Sequence, residues 1–253
     1  MVELLDIREA ARVLGVGSAR VRQLIDQGEL KAHRLGRYWV VDPDSVRQRA
    51  SVNVTHGRPY APRQVWRMGA MADLAVGNDE GMDILRKSIR PQERWQLRQY
   101  LAGLASERNP NQVAWRLRCR SDDVLDRYAH PSVLEKLAAD PRLVLSGAHA
   151  AVLHGSDLVP DDFVDAYVDS TDVDEVVADY KLIDADNGAN LRLGPVGEPL
   201  DWWASVCEAS EGARVAPLLL VVADLSERDD ARAKLAADKL WAGLRRRLAE
   251  LTA

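Results

Sequence analysis

The sequence predicts an α+β chain of several domains, and three observations carry that prediction. Residues 1–52 alternate short helical and strand-like runs around glycines. Residues 53–139 read as helical, a helical connector. Residues 140–253 mix short apolar runs with helical ones, as a small α/β domain does. A chain of 253 residues has room for that division. A hydrophobic content of 47% and a charged content of 29% suit a globular chain rather than a disordered one.

In the first domain, Ile7, Ala10, Ala11 and Leu14 share one face of a short helix. Gly15-Val16-Gly17 breaks it, and Val16 can plug the space between two helices. A second helix is predicted from about Ser18 to Gln27, with Val21, Leu24 and Ile25 inward and Gly28 ending it. Leu30 to Arg34 and Tyr38 to Val41 read as two short strands joined through Gly36. Asp42-Pro43-Asp44-Ser45-Val46 starts a further helix. The predicted outward residues are Ser18, Arg20, Arg22 and Gln23 on the second helix. On the hairpin they are Lys31, Arg34, Arg37 and Tyr38. Cations so placed suit phosphates, and Arg and Gln also read base edges, so double-stranded DNA is the expected partner.

The runs "IREAARVLGVGSARVRQLIDQGEL", "RLGRYWVV" and "DPDSV" extend the pattern in order. Through them residues 4–50 resemble the winged helix-turn-helix of excisionase and MerR-type regulators. The resemblance implies a helix in the major groove of an operator with the wing beside it.

Charge separates front from rear. Residues 1–63 hold 11 Lys/Arg and 7 Asp/Glu, whereas residues 140–253 hold 11 and 22. DNA attracts the first and repels the second, so the rear is expected to meet a different partner. No run of 18 or more apolar residues exists. The start of the chain lacks an apolar signal core, and the chain is expected in the cytoplasm. Cys119 and Cys207 stand apart, so neither a disulfide nor a zinc site is expected.

In the connector, a helix is expected from Ala61-Pro62-Arg63 to about Ala75, with Val65, Met68 and Met71 near one face. Pro91 interrupts the four-residue spacing of Arg86, Arg90, Arg94 and Arg98. Ser121-Asp122-Asp123 is an N-cap signal for a short helix through Val124 and Leu125. Further on, Arg142 to Leu145 and Asp165 to Val168 read as strands, and Val173 to Tyr180 as a helix. Leu182-Ile183-Asp184 and Ala189 to Leu193 read as a hairpin around Asp186-Asn187-Gly188. Pro217 to Asp224 reads as a core strand or the buried start of a helix. One long closing helix is expected from about Ser226 to Leu251.

The rear runs "LVLSGAHAAVLHGSDLVPDDFVDAYVDSTDVDEVVADYKLIDADNGANLRLGPVGEPLDWW" and "PLLLVVADLSERDDARAKLAADKLW" are similar to the C-terminal domain of AbiE antitoxins of type IV toxin–antitoxin systems. That resemblance implies autorepression and opposition to a nucleotidyltransferase-type toxin. It implies no catalytic residue and no cofactor. Residues 151–200 hold twelve Asp/Glu and two Lys/Arg. Asp161, Asp162, Asp169, Asp172 and Asp174 are the candidate patch for a basic partner such as the toxin.

A different class is a metal-dependent nucleotidyltransferase, which needs an Asp-x-Asp pair after a Gly-Ser turn. Gly155-Ser156 is present, but Asp162 and Asp165 are three apart and face opposite sides of a strand. Asp165 and Tyr167 share a face, and Tyr is no Mg²⁺ ligand. His149 and His154 are five apart, about 140° around a helix, and do not form an i,i+4 metal pair. Trp202-Trp203 is a core or partner-contact candidate. A third class is a plain regulator whose rear binds a small effector or dimerises.

Overall fold

A computed structural model describes residues 5–14, 16–26, 30–35, 38–43, 45–46, 59–74, 79–160, 162–185, 188–197 and 214–252. Trp202, Trp203 and Cys207 lie outside them. The chain divides into two compact units, Met1–Gly57 and Arg58–Ala253.

The smaller unit opens on α1 (Ile7–Leu14). Asp6 Oδ1 accepts from the backbone N–H groups of Arg8 and Glu9, and Glu9 Oε2 accepts from the Asp6 N–H, a reciprocal cap. Helix α2 (Ser18–Asp26) follows, then β1 (Ala32–Leu35) and β2 (Tyr38–Val41). The strands pair antiparallel, with Arg34 opposite Trp39 and Leu35 opposite Tyr38. Leu5 bridges to Val41 and lays the start of the chain along the hairpin. Ala10, Ala11, Leu14, Val21, Leu24, Leu30, Val41 and Val46 form the core, and Val16 packs on it as the plug between helices. A fully buried aliphatic side chain contributes about 1.5–3 kcal/mol, so a few such residues hold this module together.

The larger unit begins with four helices: α3 (Pro62–Leu74), α4 (Asp79–Ser88), α5 (Pro91–Ala105) and α6 (Pro110–Arg116). Pro91 does break the arginine-bearing stretch. Arg94 folds back to donate to the carbonyls of Arg86 and Ile89, so one member of that stripe caps a helix end. After a short 3₁₀ turn at Arg118–Arg120 the chain enters β3 (Leu125–Tyr128). Then come α7 (Pro131–Ala138), β4 (Leu143–Ser146), α8 (Gly147–Leu153), β5 (Val164–Asp169) and α9 (Val173–Asp179). Strands β6 (Ile183–Asp184), β7 (Leu191–Val196) and β8 (Arg214–Val215) complete the sheet. Helices α10 (Leu218–Glu227) and α11 (Ala231–Thr252) close the chain.

The six strands run in the order β6-β3-β7-β5-β4-β8, with β5–β7 and β4–β8 parallel and the other pairs antiparallel. Side chains alternate across the sheet. Leu143, Leu145, Val164, Ala166, Val168, Leu191 and Leu193 face α7 and α9. Val144, Tyr167 and Val196 face the opposite core, shared with α3, α5, α6, α10 and α11.

Four expectations are corrected. Residues 53–139 are not a separate connector, because α3, α5 and α6 share one core with α10 and α11. The Ser121-Asp122-Asp123 cap opens no helix. The Asp122 N–H bonds the Pro195 carbonyl, and Leu125–Tyr128 then pairs as a strand on both edges. The segments around Asp186-Asn187-Gly188 do not pair with each other, since β3 lies between them. The Arg127–Asp184 and Arg192–Asp126 ion pairs tie β3 to both neighbours. The single closing helix is two: Arg228 turns extended to reach Asp165, and Asp230 Oδ1 caps α11 at the Arg232 N–H.

Helix α10 is apolar on all sides from Leu218 to Ala223, as a helix at the centre of a core must be. Its approach to α3 depends on Gly69, where a Cβ would stand 2.7 Å from Pro217 Cβ. Its first N–H, that of Leu218, is taken by Asp73 Oδ2 at 3.1 Å. Burial pushes the Asp73 carboxyl up to about 6, against the charges of His154 and Arg247 and the Leu218 N–H, which lower it. The folded carboxyl binds its proton more tightly than the unfolded one at 3.8. The contribution of Asp73 to stability is therefore greatest below about pH 4, falls as pH rises toward about 6, and is level above that. The difference in urea midpoint between the native chain and Asp73→Asn, measured across this window, should show that fall.

Gly147 has φ +57°, and a Cβ there would lie 2.0 Å from Asp165 Oδ2. Gly147→Ala should cost about 1–3 kcal/mol in urea or thermal unfolding.

Candidate nucleic-acid interface

Helix α2 buries Val21 and Leu24 and leaves Arg20, Arg22 and Gln23 exposed, with Ser18 half-buried. This follows from the 3.6-residue period, which keeps positions 20, 22 and 23 off the core stripe. Arg20 Nη1 donates to Gln23 Oε1 at 2.7 Å. The guanidinium and the amide therefore lie side by side on the exposed face of α2, where both can donate and the Gln23 oxygen keeps a second lone pair to accept.

Lys31 is exposed while its backbone is fastened. Its N–H donates to Ser45 Oγ at 3.2 Å, and its carbonyl accepts from the Asp42 N–H. Arg34 is exposed on β1. Arg37 lies outside the described residues, as does the side chain of Tyr38. His33 is also exposed, between Lys31 and Arg34. Arg8 and Arg12, one turn apart on α1, form an exposed cationic pair. These three were not among the expected contacts. The signal for the arginines was present, since both fall off the stripe of Ile7, Ala10, Ala11 and Leu14.

The five candidate aspartates are not gathered into one patch. Asp161 is outside the described residues. Asp162 precedes β5, while Asp169 ends it, about 23 Å away at roughly 3.3 Å per residue. Asp169, Asp172 and Asp174 do share the turn into α9. There Asp169 Oδ1 accepts from Thr171 N at 3.0 Å and Thr171 Oγ1 at 2.7 Å.

Instead the larger unit gathers charge inside, at the sheet face toward α10. Arg120 Nε donates to Asp224 at 2.7 Å and to Tyr167 Oη at 2.9 Å, and its Nη2 pairs with Glu227. Tyr167 in turn donates to Asp224, at 2.7 Å to Oδ2. Ser146 Oγ completes the shell on Asp224. Burial and the Asp224 charge push the Tyr167 phenol well up, so it remains a donor. Asp165 pairs with Arg228 at 3.3 Å, the guanidinium lying over Phe163 at 4.6 Å. Asp165 and Tyr167 therefore share a face, as the period-two spacing predicts. A cavity of about 180 Å³ opens here, with Arg192 and Asp126 at its wall. Among the described residues, no cluster of three or more His, Cys, Asp or Glu is arranged to hold a metal ion. His149 and His154 do not converge on one site, since His154 Nε2 bonds the Ala216 carbonyl at 2.8 Å. No helix among the described residues is long and apolar enough to cross a membrane.

Residues 4–51 match the helix-turn-helix domain family. A stretch of 88 residues is 56% identical to a probable plasmid-partitioning protein ParA of Thermus thermophilus. That stretch is 35% of this chain and 24% of the relative, so the chain spans about a quarter of the relative's length. No solved structure matches the chain. The N-terminal unit is thus a helix-turn-helix domain, a DNA-binding module, with α2 as its second helix.

Two substitutions separate its contacts. Arg34→Ala should weaken binding on every duplex and reduce the salt slope by about 0.9. Gln23→Ala should cost about 1–3 kcal/mol on the preferred site only. Fluorescence anisotropy over a salt series on specific and random duplexes measures both.

Proposed function

We propose that the chain is a sequence-specific transcriptional regulator and the antitoxin of an abortive-infection toxin–antitoxin pair. The helix-turn-helix unit binds the operator of its own operon and represses it. The observation that most supports this is the exposed Arg20–Gln23 unit beside Arg22, on a helix whose opposite face is locked in the core. The antitoxin step rests on the resemblance of the rear runs to AbiE antitoxins. The larger unit then opposes a nucleotidyltransferase-type toxin, with Asp169, Asp172 and Asp174 as its acidic contact.

The larger unit acts as a binding body rather than as an enzyme. The strand position two after Asp165 carries Tyr167, and the nearby Asp224 is engaged by Arg120, Tyr167 and Ser146. The relative named for plasmid partitioning supports a second reading, in which the DNA bound belongs to a partition site. Binding to both candidate duplexes in parallel distinguishes the two.

Full-length protein should shift the DNA upstream of its operon in a gel and protect cells co-expressing the neighbouring toxin. Loss of both overturns the proposal. Incubation with radiolabelled NTPs, Mg²⁺ or Mn²⁺, and tRNA should give no labelled product. Labelling that disappears in Asp165→Ala would establish nucleotidyl transfer instead.

A further inference from the structure

The larger unit carries a second hollow that regulation by the helix-turn-helix does not use. It has a volume of about 820 Å³ and opens where the start of α3 meets α5 and the end of α6. Tyr60, Gln64, Tyr100, Arg116, Arg118 and Cys119 line it. The Tyr60 N–H donates to the Arg116 carbonyl at 3.0 Å and fixes one rim to the other.

Two cations are held in place here with no carboxylate partner among the described residues. The Arg116 guanidinium lies over the Tyr60 ring at 4.5 Å and donates from Nη2 to Tyr60 Oη at 2.5 Å. Its Nε is buried and has no hydrogen-bond partner among the described residues. Arg118 stacks on Trp115 at 4.1 Å. No ion pair to either arginine is formed among the described residues, whereas Arg67, Arg120, Arg127, Arg142, Arg192 and Arg228 each have one. Among the described residues no carboxylate lines the hollow. Glu107 acts on Tyr60 through space and does not reach Arg116 as an ion pair. Both guanidinium groups therefore carry a charge that no carboxylate among the described residues balances, and an anion in the hollow would balance it.

The size and the remaining lining narrow the anion. A space of about 820 Å³ is far larger than phosphate and falls within the range of small-molecule sites. The Tyr60 and Tyr100 rings stand 4.8 Å apart at 40°, and the Gln64 amide can both donate and accept. Planar π-faces, an amide and two forked cations suit a heterocyclic base with a phosphate. By contrast, the cavity of about 180 Å³ beside Asp165 is too small for such a ligand, and its arginines are already paired.

We propose that this hollow binds a nucleoside phosphate, with the phosphate on Arg116 and Arg118 and the base against Tyr100 and Gln64. The ligand is either a free nucleotide or one unit of a single-stranded nucleic acid.

The test uses the full chain with Cys207→Ser, leaving Cys119 as its thiol. Calorimetry with AMP, ATP and inorganic phosphate, and anisotropy with a labelled single-stranded oligonucleotide under excess duplex competitor, separate the two sources. Either a mononucleotide or the single strand should bind more tightly than inorganic phosphate. The bound ligand should slow maleimide alkylation of Cys119. Arg118→Glu, on an exposed side chain, should weaken binding about tenfold or more while leaving operator binding unchanged. Arg116→Lys keeps the charge but not the fork, and should also weaken it. Binding by inorganic phosphate alone overturns the proposal, as does nucleotide affinity untouched by Arg118→Glu.

Discussion

The ion pair between Arg120 and Asp224 is the interaction on which the larger unit depends. Arg120 ends the 3₁₀ turn after the helical segment, and Asp224 follows the apolar run Leu218–Ala223 of helix α10. Their side chains are 8% and 14% exposed, so solvent screens the pair weakly. Removing one partner of such a pair typically costs about 3–5 kcal/mol, because the other charge is left buried. Tyr167, Ser146 and Glu227 complete the shell, and through them the pair joins the helical layer to the ends of β4 and β5. The helices of residues 62–116 and the sheet are therefore one body.

The same sheet face gathers charged side chains that answer one another. A polar cleft has been built where the chain turns from β4 through Gly147 into α8, but its charges neutralise one another. Asp165 answers Arg228, which is positioned by the break between α10 and α11. The cluster is used to hold the central helix in register.

The smaller unit shows how local chemistry suffices for a small module. The Asp6–Glu9 cap, the Val16 plug and the two-strand hairpin each involve neighbours in sequence. Its exposed cations follow as the complement of the buried stripe. The Arg20–Gln23 hydrogen bond is local in the same way, joining residues three apart on α2.

The sequence by itself determined the helix-turn-helix unit and the alternation that puts Asp165 and Tyr167 on one sheet face. It also determined the break at Pro91. Each depends on a period, a cap or a turn residue that acts within a few positions. Only the tertiary structure decided that Leu125–Tyr128 is a strand, because its partners Ile183–Asp184 and Leu191–Leu193 lie more than fifty residues away. It alone decided that Pro217–Asp224 is helical. An all-apolar run has no period, and its state is set by a Pro217–Gly69 contact and by Asp73 at the first free N–H. The scattering of the acidic residues between the two ends of β5 was likewise hidden, since net charge along a chain carries no information about where a strand carries each residue. That Arg116 meets Tyr60 and no carboxylate among the described residues was hidden for the same reason: whether an arginine finds a carboxylate is a property of the packed surfaces, not of its neighbours in sequence.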